Sequence, residues 1–325
     1  MKNKKIKVAL LSVLFTIVFS ISANAENKTV ILGGEPFGLK LFTNGCVVIN
    51  VDSDENSPAS KADIEKNDVI VSANGQEITS NSQLEKVIKN SNGEDIELSL
   101  LRNNETITAT ISPKLDDNKE YVAGMWVRDS TAGIGTFTYF DEETMSFGAL
   151  GHGICDKDTG MLMPLKDGEI FRAQISGCNK GVKGTAGGLN GYFEDEAIGI
   201  INQNNAFGIY GKYSTALGDE KIEVADDSEI TKGEASIFAT ISDEGVKEYS
   251  VEIESVNLCD KSGQNMVLHI TDEELLEKTG GIIQGMSGSP IVQNGKLIGA
   301  VTHVFVNSPQ KGYGISISNM LSNNI

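Results

Sequence analysis

Hydrophobic and polar positions change texture twice along the chain. Lysines at 2, 4, 5 and 7 precede an apolar run from Val8 to Ile21, broken only by Ser and Thr, and then Ala23-Asn24-Ala25. A basic start, a short apolar stretch and a small-residue cleavage site predict an export signal over residues 1–25, cleaved or kept as a transient membrane anchor. The rest of the chain is then expected to work outside the cytoplasm. No later stretch is long and apolar enough to span a bilayer.

Residues 33–113 read as one small unit. Leu39-Lys40-Leu41 and the apolar run Cys46 to Val51 predict strands, followed by a polar loop from Asp52 to Ser57. Pro58 to Gly75 predicts a helical turn, a strand and an Asn74-Gly75 turn. Leu84, Val87 and Ile88 recur at i, i+3 and i+4 and predict an amphipathic helix over 82–89. Ile96 to Leu101 and Thr106 to Ile111 predict a hairpin about Asn103-Asn104. This order of short strands around one helix resembles a PDZ domain. The resemblance implies capture of a peptide as an added strand, its carboxylate held by backbone amides of a loop. Phe37-Gly38-Leu39 is the matching peptide-binding segment, although Glu35-Pro36 departs from the usual glycine-rich form and Glu35 repels an anion. That departure favours an internal or tethered segment over a free C-terminus.

A polar stretch at 114–120 predicts a linker, and the texture then changes again. Over 121–325 short apolar runs are punctuated by Gly, among them Tyr121 to Val127, Ile134 to Phe140, Met145 to Leu150, Tyr249 to Val256 and Met266 to Ile270. Alternation such as Thr136-Phe137-Thr138-Tyr139-Phe140 is that of strands. Many short strands with almost no helical pattern predict an all-β barrel or sandwich of about 205 residues.

Length and composition agree with two folded units: 325 residues, 39% hydrophobic, with 35 Gly and 6 Pro. The formal charge is −18, although four of the 27 basic side chains sit in the first seven residues. So acidic a surface argues against nucleic acid and against charge-driven membrane binding. The four cysteines, Cys46, Cys155, Cys178 and Cys259, form no CxxC pair, and export permits a disulfide without specifying one. His152 and Cys155 stand three apart as in some metal sites, but no second ligand pair accompanies them, and no metal is assigned. The cluster Gly181 to Gly188 lacks the Gly-Lys-Ser/Thr signature of a phosphate cradle and reads as a turn between strands.

Chemistry concentrates in Gln284-Gly285-Met286-Ser287-Gly288-Ser289-Pro290. Small residues around a Ser let the backbone turn sharply and expose the hydroxyl, while the amides of Gly285 and Ser287 converge on one spot as an oxyanion hole. The strand pair that follows, closing at Asn294-Gly295, fixes this loop. A nucleophilic Ser needs a base, and the chain has His152, His269 and His303. His152 ends an apolar strand among glycines, in Leu150-Gly151-His152-Gly153; the other two lie in mid-strand, where histidines are usually structural.

The pairing of Leu150-Gly151-His152-Gly153 with Gly280 to Pro290 and Gly299 to Phe305 resembles the stage IV sporulation protein B peptidases. Those are serine endopeptidases of endospore-forming bacteria, built from a signal or anchor, a PDZ domain and a chymotrypsin-like double β-barrel. The resemblance covers essentially the whole chain. It implies a mainly β fold, Ser287 rather than Ser289 as nucleophile, His152 as general base and no cofactor. It further implies export to the space between forespore and mother-cell membranes, self-cleavage near the N-terminus, and cleavage of a membrane-bound regulator that releases late sigma-factor processing.

The acid is open. The resemblance points to Asp272, but Thr271 to Gly280 also reads as a short helix with Thr271 as N-cap and Glu274 completing a capping box, which explains Asp272 by the helix dipole alone. The usual chain order of such enzymes points to Asp195, and a Ser/His dyad needs neither. From another class, a binding protein with an idle peptidase fold would keep only the PDZ function. A cysteine nucleophile at Cys155 or Cys178 would show as thiol-reagent sensitivity.

Overall fold

Residues 28–215 and 218–324 are described by the computed structural model; the expected signal or anchor lies outside them. Strand β1 (Thr29–Leu32) leads into the long β2 (Pro36–Val51). Next come α1 (Pro58–Lys61), β3 (Val69–Ala73), β4 (Gln76–Glu77), α2 (Asn81–Lys89), β5 (Ile96–Arg102) and β6 (Glu105–Ile111). A short pair, β7 (Lys114–Leu115) with β8 (Tyr121–Val122), precedes the long β9 (Met125–Asp141). Then follow β10 (Ser146–Ala149), β11 (Leu165–Asn179), β12 (Gly188–Asn205), β13 (Gly208–Tyr213) and β14 (Lys221–Val224). The last part holds β15 (Gly233–Ala239), β16 (Lys247–Val256), β17 (Met266–Ile270), α3 (Glu273–Thr279), β18 (Pro290–Gln293), β19 (Lys296–Val304), β20 (Lys311–Ser316) and α4 (Ile317–Ser322).

Pairing resolves these strands into two closed six-stranded barrels. In the first, β2, β9, β10, β13, β12 and β11 close in that order. In the second, β15, β16, β17, β20, β19 and β18 do so. The first barrel buries Phe37, Phe137, Phe140 and Phe147 against Ile170 and Ile209. The second buries an aliphatic set that includes Ile237, Val251, Leu268 and Ile291. Between them, Tyr139 and Tyr210 pack with Leu297, Ile315 and the α4 residues Ile317 and Met320. Residues 135–141 are therefore buried on both faces of their strand, one inside the first barrel and one between the barrels.

The PDZ-like unit is not a bead in front of the peptidase. Pro36–Phe42 of β2 pairs with residues 130–136 of β9, and Phe37–Phe42 with 167–172 of β11, inside the first barrel. After a register shift the same two strands continue into the small unit, where Val47 faces Arg128 and Val51 faces Met125. The boundary expected between 113 and 121 thus gives way to a module inserted between the first strand of one barrel and its other five, entered and left on a continuous two-stranded ribbon. Its core is Cys46, Val48, Ile70, Leu84, Leu98 and their neighbours. Helix α2 forms as its pattern predicts, with Ser80 as N-cap and Leu84 and Ile88 buried. Asn103 and Asn104, at φ 51° and 67°, make the primed turn that joins β5 to β6. The stretch expected as a free linker pairs Lys114 with Val122 instead.

Candidate active site

The first barrel supplies the imidazole. Strand β10 ends at Ala149, and Leu150 and Gly151 both take φ 68°, a left-handed kink that turns His152 away from the barrel wall. The His152 ring, half-buried, has Nδ1 2.8 Å from the carbonyl of Gly153. A carbonyl only accepts, so the proton lies on Nδ1 and the lone pair of Nε2 is left for a substrate-side proton. The ring of His303 lies against it, centroids 4.5 Å apart and planes at 36°. Burial and then the neighbouring His303 pull the His152 pKa down to about 4, against the Gly153 carbonyl, which favours the cation. Desolvation lowers His303 as well.

The second barrel supplies the serine loop. Met286 donates its amide to Ile283, Ser289 to Met286 and Gly288 to Val301, at 3.1, 3.0 and 2.8 Å. Among the described residues, the amides of Gly285 and Ser287 have no backbone acceptor, which leaves two donors beside the Ser287 hydroxyl. Gly288, at φ +96°, lies where a Cβ would be 1.9 Å from the carbonyl of Thr136, so only glycine lets the loop approach β9 this closely. Strand β9 in turn stitches the loop to the first barrel. The Thr136 amide donates to the Ser287 carbonyl at 3.0 Å, the Thr136 hydroxyl to Gly285 at 2.7 Å and the Thr138 hydroxyl to Gly288 at 2.8 Å. Ser287 is half-buried and its hydroxyl donates to the carbonyl of Thr302 at 2.7 Å. Ser289 is fully buried with no partner for its Oγ, which excludes it as the accessible hydroxyl.

Ser287, Gly285, His152 and His303 line one cleft of about 490 Å3 between the barrels. Its walls are mainly apolar, with Ile134, Ile282, Ile283 and Val304. Cys155 also lines it, but burial raises the thiol's pKa, which disfavours a thiolate. Cys178 is likewise raised, and all four cysteines are free.

Two expected roles meet a different arrangement. Asp272 does not line the cleft: it is the N-cap of α3, accepting from Leu275 N at 2.9 Å and from Ser250 N at 3.4 Å. Thr271, expected as that cap, lies one residue outside, and Gly280 closes the helix at φ 76°. With both carboxylate oxygens turned to amides and Gly153 at Nδ1, the structure does not bring Asp272 to His152. Asp195 is exposed on β12 and also lies outside the cleft. Where β12 turns into β13 the chain carries Asn204, whose side chain accepts from Ile154 N at 2.7 Å and donates to Ile154 O and Met163 O at 3.0 and 2.9 Å. It holds the loop beyond His152 through the main chain.

Phe37-Gly38-Leu39 is the second correction. Phe37 and Leu39 are buried, and the segment is bonded on both edges, to β9 and β11, so no peptide can add there. The glycine that suggests a binding loop makes room for the Phe193 ring, which would lie 2.3 Å from a Cβ at that position. The open groove of the small unit runs instead between α2 and Tyr121–Val127, a space of about 530 Å3. Leu84 and Ile88 line one side, Val122, Met125 and the largely exposed Trp126 the other. Asn81 reaches across one end to the carbonyl of Val127, 3.2 Å away.

Comparison with known proteins finds both parts of the chain. The family model of the SpoIVB peptidase S55 matches residues 119–321, and that of the PDZ domain matches 26–112. No curated protein gives a match. Among solved structures, the PDZ domain of the SdrC-like protein of Listeria monocytogenes is 17% identical over 26% of this chain and 87% of its own, with a TM-score of 0.24. The inactive form of the Rv3671c protease of M. tuberculosis H37Rv is 9% identical over 59% of this chain and 84% of its own, with a TM-score of 0.34. With the family model spanning five of the six strands of the first barrel and all six of the second, the chain belongs to the SpoIVB peptidase S55 family and is a serine endopeptidase with a PDZ domain.

Proposed function

We propose that Ser287 is the nucleophile and His152 the general base of a Ser/His centre in which the Gly153 carbonyl orients the imidazole. The observation that carries this is the single cleft that holds the Ser287 hydroxyl, the His152 ring and the amides of Gly285 and Ser287. For reaction the Ser287 hydroxyl turns from Thr302 to Nε2 of His152. Its Oγ bonds to the peptide carbonyl carbon while the proton passes to Nε2, and the oxygen, now negative, is held by the two amides. His152 returns that proton to the departing amine as the C–N bond breaks. Water, deprotonated by the same nitrogen, then attacks the ester, and collapse restores Ser287 and frees the acid.

The substrate is a protein segment. In this reading the groove between α2 and Tyr121–Val127 takes an extended segment as an added strand and presents the chain to the cleft. The resemblance supports two such segments, the enzyme's own N-terminal stretch and a membrane-bound regulator whose cleavage releases late sigma-factor processing. The signal-like residues 1–25 support export to the space between forespore and mother-cell membranes. Self-cleavage is tested by incubating the full chain and Ser287→Ala alone and mixed, with the new N-terminus read by mass spectrometry. Shortening of the parent but not of the variant alone supports the reading; equal shortening of both assigns the cut to another protease.

A further inference from the structure

The loop that carries His152 is held from two sides, and one hold comes from the ribbon shared with the PDZ-like unit. Between Gly151 and Met163 the loop has a single strand-like bridge, Cys155 with Leu162. From the barrel side Asn204 grips Ile154 and Met163. From the other side Arg128 meets Asp156 through Nη1 and donates from Nη2 to Asp158 Oδ2 at 2.8 Å. Arg128 stands on β9 opposite Val47 of β2, at the end of the ribbon that belongs to the small unit. Lys66, in the loop before β3, adds a bond from Nζ to the Asp158 carbonyl at 2.6 Å.

Asp156 makes this contact more than a surface pair. Its side chain is fully buried, and its Oδ1 accepts the amides of Asp158 and Thr159 at 3.0 and 2.9 Å, which shapes the turn. Burial works to raise its pKa, but those amides and Arg128 outweigh burial and keep the group ionised. A buried carboxylate deprived of its cation must take a proton or move to water, and either change reshapes the turn four residues after His152.

We infer that Arg128 is a positioning residue for His152: by pairing with Asp156 it fixes the base's loop and ties it to the ribbon of the peptide-binding unit. This rests on the reading of His152 as general base. Met125, Trp126 and Val127 wall the groove and Arg128 follows them directly, so a segment bound in the groove bears on the strand that holds the base.

The test is the rate of labelling of the full chain by a fluorophosphonate, with Arg128→Ala, Arg128→Lys, His152→Ala and Lys296→Ala compared with the parent. Lys296, whose own side chain is about as exposed as that of Arg128, pairs with the solvent-exposed Glu229 and does not line the cleft. Arg128→Ala is expected to label the same fraction of sites with a limiting rate roughly 10- to 100-fold lower at unchanged half-saturation, the scale of a displaced catalytic group. Arg128→Lys recovers part of the rate, because an ammonium keeps the charge but not the two-pronged geometry. Lys296→Ala labels like the parent. Parent-rate labelling of Arg128→Ala, or a smaller labelled fraction at the parent's rate per site, overturns the inference. Should Arg128→Ala not fold, Arg128→Lys carries the test alone: a lower limiting rate supports the inference and the parent's rate overturns it. Parent-rate labelling of His152→Ala overturns the base assignment itself, and the inference with it.

Discussion

Ser287 gives its hydroxyl proton to the carbonyl of Thr302, 2.7 Å away, while His152 has its Nδ1 on the carbonyl of Gly153 at 2.8 Å. The proposed nucleophile and base are thus each held by main-chain oxygen. Releasing Ser287 costs about 1 kcal/mol, the net value of one neutral hydrogen bond. That is small against the barrier of peptide hydrolysis. The alignment of Nε2, by contrast, depends on the loop beyond His152 and on what grips it.

The pH response follows from the lowered pKa of His152. In the proposed centre the neutral ring is the base, so acylation is expected to fall only as pH drops toward about 4, well below the ordinary range of a histidine. His303 is the titratable group against the ring, and Cys155 also lines the cleft. Replacing His303 by Gln removes the neighbouring imidazole and moves the acid limb of the labelling rate upward in pH. An unmoved limb would show that burial alone sets it.

Stability has the matching sign. Between about 4 and the ordinary histidine value, the unfolded chain binds a proton at residue 152 that the folded chain refuses, so stability is lost as pH falls through that window. The loss is about 3 kcal/mol at most, from the size of the shift. Urea unfolding of parent and His152→Gln at pH 7 and pH 4.5 measures it: the parent loses more stability between the two than the variant. Equal losses would remove His152 as the cause.

Asp272 is assigned to the helix. Asn caps the helix as well as Asp but offers one acceptor oxygen where Asp272 offers two, so Asp272→Asn keeps turnover and gives up only the long bond from Ser250 N, while Asp272→Ala lowers stability by about 1 kcal/mol or more. Loss of labelling in a folded Asp272→Asn would bring the carboxylate back to the catalytic centre.

Thr136 reaches the serine loop from the other barrel. Thr136→Val keeps the shape of the side chain but removes the bond to the Gly285 carbonyl, at a cost of about 1–3 kcal/mol for the partly buried acceptor left behind. Labelling by the fluorophosphonate is expected to slow in the folded variant, because the Gly285 and Ser287 amides proposed to hold the oxyanion lose their register. Ser289→Ala, which removes a buried hydroxyl without a partner, labels at the parent's rate and is no less stable.

The chemistry legible in the sequence is local. A Ser among small residues and a His between glycines each carry their signal within a few positions, as do the helix of Leu84 and Ile88 and the Asn103-Asn104 turn. What escapes depends on pairing between distant segments. Thr136 and Gly285 are 149 residues apart, and alternating Thr in a strand reads the same whether or not it meets a serine loop. Phe37-Gly38-Leu39 has the apolar-glycine texture of a binding loop, yet the glycine admits an aromatic ring from β12. The true groove wall, Tyr121–Val127, reads as the start of the next domain because a ribbon that enters and leaves an inserted module leaves no mark in composition. Thr271 and Asp272 are both good caps, and one residue of offset moves a carboxylate from the first turn to the cap.

Whether Ser287 and His152 form the catalytic pair is decided by fluorophosphonate labelling of the folded full chain, parent against Ser287→Ala and His152→Ala, with the modified residue located by mass spectrometry. A Ser287/His152 centre gives a single adduct at Ser287 in the parent, none in Ser287→Ala and greatly slowed labelling in His152→Ala. An adduct at another serine, or undiminished labelling without His152, would contradict it.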